Sequence, residues 1–292
     1  MSVALSIDES IRHCRGITRR AATSFYYAFK TLPKTKRIGF EVVYAFMRLS
    51  DDISDDDVGS GRREKIHAWR ICFDRALAGD TSSHPVMPAL MKVLCDFDIS
   101  PKYFHELIDG TEQDLDVTRF QTFEDLYSYC YQVASTVGLV SLRLFGLVDP
   151  NPSRWSEADA LAIACGQGFQ LTNILRDVKE DTERDRIYLP HEDLERFGIN
   201  EDDLRAERYD EPFKNLMAFE AKRAQAFYDE SAELMHFVAA DARPCFRTMR
   251  GIYHSILLGI IARDYEIWST RVRVPLPKKL GIAARAFLGF GS

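Results

Sequence analysis

Two clusters, Asp51-Asp52-Ile53-Ser54-Asp55 and Asp177-Val178-Lys179-Glu180-Asp181, each set aspartates four residues apart, and they stand about 125 residues from each other. On a helix, positions i and i+4 share a face with Cβ atoms about 5–6 Å apart. Carboxylates that close repel, and a helix C-terminus adds its own negative potential, so the arrangement calls for a cation. All-oxygen donors suit Mg²⁺, with Mn²⁺ as a substitute, completed by water and substrate phosphate. A single cluster of this kind is an ordinary solvated acidic face. Two clusters, each on an otherwise apolar helix and accompanied by Arg48 or Arg176, read as a metal–diphosphate clamp.

The chemistry such a clamp serves is cleavage of a carbon–oxygen bond to a diphosphate, whose departing charge a metal neutralises without supplying a proton. Arg48 and Arg176 can meet phosphate oxygens with bidentate forks, or be ordinary helix-surface arginines. A carbocation left behind must be kept from water by apolar and aromatic walls. Candidates beside the motifs are Phe25, Tyr26, Phe29, Tyr44, Phe46, Tyr129, Val133, Val137, Leu139, Leu142, Phe169 and Leu171, most of which serve a core in any case. Gly166 and Gly168, inside an apparent helix, suggest a close approach of another helix or of a ligand, and core packing explains them equally well. They are no dinucleotide fingerprint, because Leu171 stands where a third glycine belongs and no strand precedes; NADPH is not indicated.

The elements that must position these residues read as helices throughout. Apolar residues recur at three-to-four spacing, and alternating strand segments are missing, so the fold class is all-α. The expected helices run over about 7–31, 35–57, 62–78, 86–97, 101–116, 123–146, 156–182, 201–206, 212–239 and 243–270. Leu32-Pro33 and Gly79-Asp80 close helices, Ser100-Pro101 opens one, and Thr122-Phe123-Glu124-Asp125 resembles a capping box with Asp in place of Glu. The most irregular segments, 56–62 and 185–200, follow directly after the aspartate motifs, as loops at the mouth of a site would. No linker divides the chain, which is read as one domain over 1–292, with 1–10 and 275–292 as peripheral tails.

A net charge of −6 and a pI near 5.7 argue against a nucleic-acid partner, so any anionic ligand must be met locally. The six scattered cysteines form no CxxC pair and read as reduced core thiols, favouring a cytoplasmic protein. The longest apolar run, Ile256 to Ala262, is far short of a bilayer span. The seven histidines form no ligand-spaced set. The basic and apolar stretch from Arg271 to Leu280, followed by Ala284, Phe287 and Phe290, is read either as a packed tail with solvated lysines or as a peripheral contact with an anionic membrane.

Tyr44 to Asp55, Tyr129 to Gly138, Gln170-Leu171-Thr172-Asn173-Ile174-Leu175-Arg176-Asp177 with Glu180-Asp181, and Arg186-Ile187-Tyr188-Leu189-Pro190 together resemble the squalene and phytoene synthases, a likeness running from about Ser24 to Lys279. The resemblance implies a single-domain isoprenoid-synthase helical fold. Its central cavity would join two prenyl diphosphates head to head through a cyclopropyl intermediate. It implies Asp51, Asp55, Asp177 and Asp181 as Mg²⁺ ligands with Asn173 assisting, and Arg48 and Arg176 as diphosphate contacts. It also implies Tyr44 and Tyr129 at the reacting carbons, and Ser24, Phe25 and Gln170 in the substrate site. Tyr129 or the released diphosphate would take the proton lost on cyclopropane closure. Many members place a basic residue before the serine matching Ser24, where this chain has Thr23, which puts one diphosphate contact in doubt. Thr23 to Phe29 and Asp51-Asp52-Ile53 look more like the bacterial presqualene diphosphate synthases of hopanoid pathways.

The expected function is therefore Mg²⁺-dependent condensation of two farnesyl diphosphates to presqualene diphosphate. Its rivals are a phytoene or diapophytoene synthase and a terpene cyclase using one prenyl diphosphate. A helical lipid-binding protein without catalysis is the remaining rival. Asp51 and Asp177 are both expected at a solvent-filled mouth.

Overall fold

A computed structural model describes residues 5–21, 25–55 and 61–289; the side chains of Ser54 and Asp55 also lie outside the described set. The helices are α1 (Ile7–Ala21), α2 (Tyr26–Phe29), α3 (Lys34–Asp55), α4 (Arg62–Leu77), α5 (Met87–Asp96), α6 (Lys102–Gln113), α7 (Phe123–Cys130) and α8 (Thr136–Phe145). They continue with α9 (Pro152–Glu183), α10 (His191–Arg196), α11 (Glu201–Arg205), α12 (Glu211–Glu230), α13 (Leu234–Phe237), α14 (Arg243–Ala262) and α15 (Leu276–Phe287). No strand occurs among the described residues; there are two isolated bridges, Arg119 with Ile187 and Leu147 with Val238. The all-α expectation holds.

Helix starts follow local chemistry. Thr122 and Asp125 form the capping box of α7 reciprocally, and Asn200 with Asp203 does the same for α11. Several helix ends differ from the periodicity reading. The segment 7–31 is two helices, α1 and the short α2. The segment 123–146 is interrupted by a π-turn over Tyr131–Ser135, which separates α7 from α8. The segment 212–239 stops at Glu230, passes through a 3₁₀ turn and resumes as α13.

The helix expected to reach 270 ends at Ala262. Asp264 and Tyr265 take left-handed φ of 54° and 66°, and their amides bond back to the carbonyls of Ile261 and Ile260. This is a Schellman-type stop built without glycine, so the sequence carries no punctuation there. The stretch 185–200, read as irregular, contains α10, and the C-terminal stretch read as a tail forms α15, packed on α14 and α2.

α9 spans 32 residues, about 48 Å at the α-helical rise, and packs against α7, α8, α11, α12, α13, α14 and the π-turn. Its apolar residues face several directions, as expected of a central helix. Two buried clusters meet around it. One gathers α1, α3 to α6 and α8 around Phe46, Phe73 and Phe104; the other gathers α7, the C-terminal half of α9, α12 and α14 around Phe213, Leu216 and Tyr228.

Where α9 meets the π-turn, a Cβ on Gly166 would come within 2.6 Å of the Ser135 Cα, and one on Gly138 within 2.6 Å of the Ala162 carbonyl oxygen. Gly166 thus allows backbone-on-backbone contact, the first of the two expected roles. Gly168 meets only ordinary contacts at 3.4–3.5 Å.

All six cysteines are free thiols. Cys14, Cys130, Cys165 and Cys245 are buried, whereas Cys72 is half-buried and Cys95 exposed, so the core reading holds for four of them. No helix among the described residues is long and apolar enough to cross a membrane.

Candidate active site

A cavity of about 650 Å³ lies where the two buried clusters meet, lined by α3, α6, the π-turn, α8, α9 and α14. Helical spacing decides which side chains reach it. On α3, Phe40, Val43, Tyr44, Met47, Arg48 and Asp51 recur every three or four residues and line it. On α9 the lining set is Ala162, Cys165, Gly166, Phe169, Gln170, Asn173, Ile174, Arg176, Asp177 and Asp181. Both helices therefore run from apolar groups to carboxylates, over about 16 Å on α3 and about 28 Å on α9. The result is an apolar chamber with a charged mouth.

Of the walls expected from sequence, Phe25, Phe29, Tyr44, Tyr129, Val133, Val137, Leu142 and Phe169 line the cavity. Phe46, Leu139 and Leu171 do not, because they point from the opposite faces of their helices into the core. Phe46 packs on Trp69, Phe73 and Phe104 with ring centroids 4.8–5.3 Å away. Tyr26 turns instead to Tyr27 and Lys30. Aromatic density in the chamber comes largely from a stack: Tyr253 lies 4.4 Å from Phe169 and 5.4 Å from Phe25, nearly parallel to both.

At the mouth the structure brings Asp51, Asp177, Asp181, Asn173, Arg48 and Arg176 to one cavity. Ser24 and the Asp55 side chain, both expected in the site, lie outside the described residues. Asp51 is exposed, as expected of a solvent-filled mouth. Asp177 is not: its side chain is 15% exposed and held by two arginine forks, from Arg176 and Arg271. Burial opposes its charge, but these hydrogen bonds prevail and hold its pKa below the usual carboxylate value. Asp181 behaves oppositely, raised to about 7 by burial and then by the charge of Asp177. Arg48 pairs with Asp52 one turn on, at the exposed rim. Tyr44 is pushed up to about 12 by burial.

No group of three or more His, Cys, Asp or Glu side chains in metal-holding geometry occurs among the described residues. The donor chemistry nevertheless fits a hard divalent cation. Three carboxylates share one mouth, and the Asn173 Oδ1 beside them is buried without a hydrogen-bond partner.

Several lining groups had no role in the residue-by-residue reading: Asp114, Arg184, Arg186, Tyr188, Tyr253 and Arg271. Asp114 ends α6, and the segment after α9 is fastened next to it. The Ile187 amide bonds to the Thr118 carbonyl at 2.9 Å, and Arg119 donates to the Asp185 carbonyl and carboxylate and to Glu201. The Schellman turn at Asp185, with φ of 56°, sets the direction in which Arg186 and Tyr188 leave α9. Tyr188 Oη donates to Asp114 at 3.2 Å, and its ring stacks 5.5 Å from Tyr129. Burial first, then the Asp114 charge, raises the Tyr129 phenol well above its ordinary pKa. Arg186 and Tyr188 were visible in the sequence as a matched segment; Arg271 and Tyr253 carried no local signal.

The chain matches the squalene/phytoene synthase family over residues 18–279. It belongs to that family. It is 36% identical over 282 residues to the 15-cis-phytoene synthase of Synechocystis sp., covering 94% of this chain and 83% of that protein. To the phytoene synthase of Mycobacterium tuberculosis it is 34% identical over 284 residues, covering 96% and 91%. Among solved structures it is similar to a dehydrosqualene synthase, with a TM-score of 0.86 at 30% identity and 96% of each chain covered. It is also similar to squalene synthase HpnC from Alicyclobacillus acidocaldarius, with a TM-score of 0.81 at 31% identity, covering 90% of this chain and 97% of that one. The squalene/phytoene synthases are prenyltransferases acting on prenyl diphosphates, and this chain has their all-α isoprenoid-synthase fold.

Proposed function

We propose that this squalene/phytoene synthase joins two prenyl diphosphates head to head, and that its product is of the phytoene type. The observation that carries the reaction is the polarity gradient of the single chamber, from Phe40 and Ala162 at one end to Asp51, Asp177 and Asp181 at the other. Two prenyl tails would lie along the apolar length with both diphosphates at the charged end. The preference for a phytoene-type product rests on the names and identities of the curated relatives, 34–36% for proteins named phytoene synthase. The farnesyl-to-presqualene reading is the second one, favoured by the likeness to HpnC at 31% identity.

Asp51, Asp55, Asp177 and Asp181, with the Asn173 carbonyl, would hold Mg²⁺ or Mn²⁺. A bound divalent ion supplies Lewis-acid neutralisation of the departing diphosphate. Arg48 and Arg176, together with Arg184, Arg186 and Arg271, give the diphosphate oxygens planar donors at the same mouth. Phe25, Phe169 and Tyr253, stacked on one another along the chamber wall, would exclude water from the allylic cation. Gln170 borders the chamber beside Asn173 and fixes its amide through a 3.3 Å hydrogen bond. Tyr44 stands one turn before Arg48 on the cavity face of α3, beside the reacting carbons.

The first diphosphate departs by carbon–oxygen cleavage. The double bond of the second substrate attacks the cation, and loss of a proton closes the cyclopropane. Burial and the Asp114 charge favour the protonated Tyr129 phenol, which would serve as a hydrogen-bond donor while the released diphosphate accepts the proton.

The test is incubation of the protein with farnesyl or geranylgeranyl diphosphate and Mg²⁺, with and without NADPH, followed by product identification. A C40 hydrocarbon from geranylgeranyl diphosphate is the expected outcome. Presqualene diphosphate or squalene from farnesyl diphosphate would establish the second reading instead. Cyclic products from one substrate molecule would overturn the condensation, and absence of diphosphate release would overturn the enzyme reading.

A further inference from the structure

Arg119 does not line the cavity, yet its whole guanidinium is committed to one place beside it. Nε and Nη2 fork onto the Glu201 carboxylate at 2.6 and 2.9 Å, and Nη2 also donates to the Asp185 carboxylate at 2.7 Å. Nη1 donates to the Asp185 carbonyl at 2.6 Å and to the Thr118 carbonyl at 2.9 Å. These five bonds use every N–H that a guanidinium has. They tie together three stretches distant in sequence: the segment after α6, the turn that ends α9, and the start of α11.

The turn that Arg119 grips is one an L side chain disfavours. Asp185 has a left-handed φ of 56°, a conformation that persists where the surroundings hold it. Arg119 holds that residue twice, by its carbonyl and by its carboxylate. Beyond the turn the chain runs beside 118–121, with the Ile187 amide bonded to the Thr118 carbonyl at 2.9 Å and the His191 amide to the Phe120 carbonyl at 2.8 Å. Side chains alternate along an extended run. Ile187 is accordingly buried in the core, while Arg186 and Tyr188 on either side of it line the cavity. The direction taken at Asp185 therefore decides where Arg186 points.

We propose that Arg119 is a positioning residue for diphosphate binding: by pinning the left-handed turn at Asp185 it aims Arg186 at the charged mouth. The diphosphate part rests on the prenyltransferase reading; the pinning of the turn does not. Arg205 shares the same ion-pair cluster without that role. It donates to the carboxylates of Asp185, Glu201 and Asp202 and, among the described residues, to no backbone carbonyl, so it adds charge but does not fix the turn.

Calorimetric titration with inorganic pyrophosphate and Mg²⁺ tests the proposal without requiring turnover. R186A is expected to weaken pyrophosphate binding about tenfold, the loss of one charge-assisted fork. R119A should weaken it about fivefold. The double variant R119A/R186A should bind within about twofold of R186A, because Arg119 acts through Arg186; a general loss of structure would instead add to the R186A effect. R205A should bind as the wild type does. R119K keeps the charge without the planar fork, so it should resemble R119A and takes its place if R119A does not fold. Hydrogen exchange at the Ile187 and His191 amides should quicken in R119A and stay at the wild-type rate in R186A.

Wild-type pyrophosphate affinity in both R119A and R119K, additive losses in the double variant, or an R205A loss equal to that of R119A would each overturn the positioning role. Unchanged amide exchange in R119A would overturn the pinning of the turn. A wild-type protein that binds pyrophosphate but releases none from prenyl diphosphates overturns only the enzymatic reading.

Discussion

Arg271 and Asp177, 94 residues apart in sequence, form a two-pronged ion pair at the cavity mouth, Nε to Oδ1 at 2.7 Å and Nη2 to Oδ2 at 2.6 Å. Arg176 grips the same carboxylate from the adjacent position, so one aspartate satisfies two guanidinium forks. A diphosphate arriving at the mouth offers Arg271 a richer set of acceptor oxygens than a single carboxylate does. Arg271→Ala is expected to raise KM for the prenyl diphosphate about tenfold or more, the usual worth of one charge-assisted fork. Steady-state kinetics at saturating Mg²⁺ measure it, and an unchanged KM would remove Arg271 from the diphosphate site.

Asp51 and Asp177 should part company under the same substitution. Asp51 is exposed, so Asp51→Ala should abolish turnover and leave the melting temperature within about a degree or two of wild type. Asp177→Ala strands Arg176, whose side chain is 17% exposed, and should cost about 1–3 kcal/mol as well as turnover. Paired activity and thermal-denaturation measurements separate the two; equal melting temperatures would contradict a stabilising role for the buried Asp177–Arg176 pair.

Tyr129→Phe removes a buried donor and leaves the ring contacts with Phe120 and Tyr188 in place. Turnover should fall about 10–100-fold with the alkaline limb of the pH–rate profile unmoved, since a phenol with a raised pKa does not act as the base. An alkaline limb that disappears in the variant would reinstate Tyr129 as proton acceptor.

The two glycines of α9 should respond with opposite signs. Gly166→Ala puts a methyl 2.6 Å from the Ser135 Cα and 2.8 Å from the Ala134 carbonyl oxygen, neither of which can rotate away. A loss of about 1–3 kcal/mol is expected. Gly168→Ala meets only ordinary contacts and gains helix propensity, so it should be neutral or stabilising by up to about 1 kcal/mol. Urea denaturation of both variants measures the difference.

Arg223 Nη1 serves two buried carboxylates, Asp193 at 2.8 Å and Glu220 at 2.7 Å. Glu220 is raised to about 8 by burial, against the attraction of Arg223 and with the help of Asp193. A carboxyl whose folded pKa exceeds its unfolded value binds more protons when folded. Its contribution is therefore complete below pH about 4.5 and is lost as the pH rises toward 8. The slope is at most about 1.4 kcal/mol per pH unit. Glu220→Gln should flatten that decline, so the variant gains on the wild type between pH 5 and pH 9 in denaturation curves. A constant difference across that range would contradict the assignment.

Much of the site is legible in the sequence. Asp51, Asp177, Asp181, Arg48, Arg176, Gln170 and Asn173 sit at three-to-four spacing on long helices, and helical periodicity alone puts them on one face of each. The all-α class followed from the same periodicity. That the two faces meet at one chamber is a fact of packing, made possible by Gly166 and Gly138 letting α9 approach the π-turn and α8.

Residues outside that logic were illegible for a physical reason. Tyr253 reaches the chamber only because α14 crosses α9, and Arg271 only because the chain turns back after the left-handed stop at Asp264 and Tyr265. Asp114, at the end of α6, meets Tyr188 only because Arg119 fastens the segment after α9 beside it. Composition and spacing thus determined the helices, the two acidic motifs and the kind of ligand they suit. Tertiary structure alone decided that Asp177 is held by Arg271 and that α15 leaves an apolar face uncovered, because long-range contacts and exposure depend on how helices distant in sequence come together.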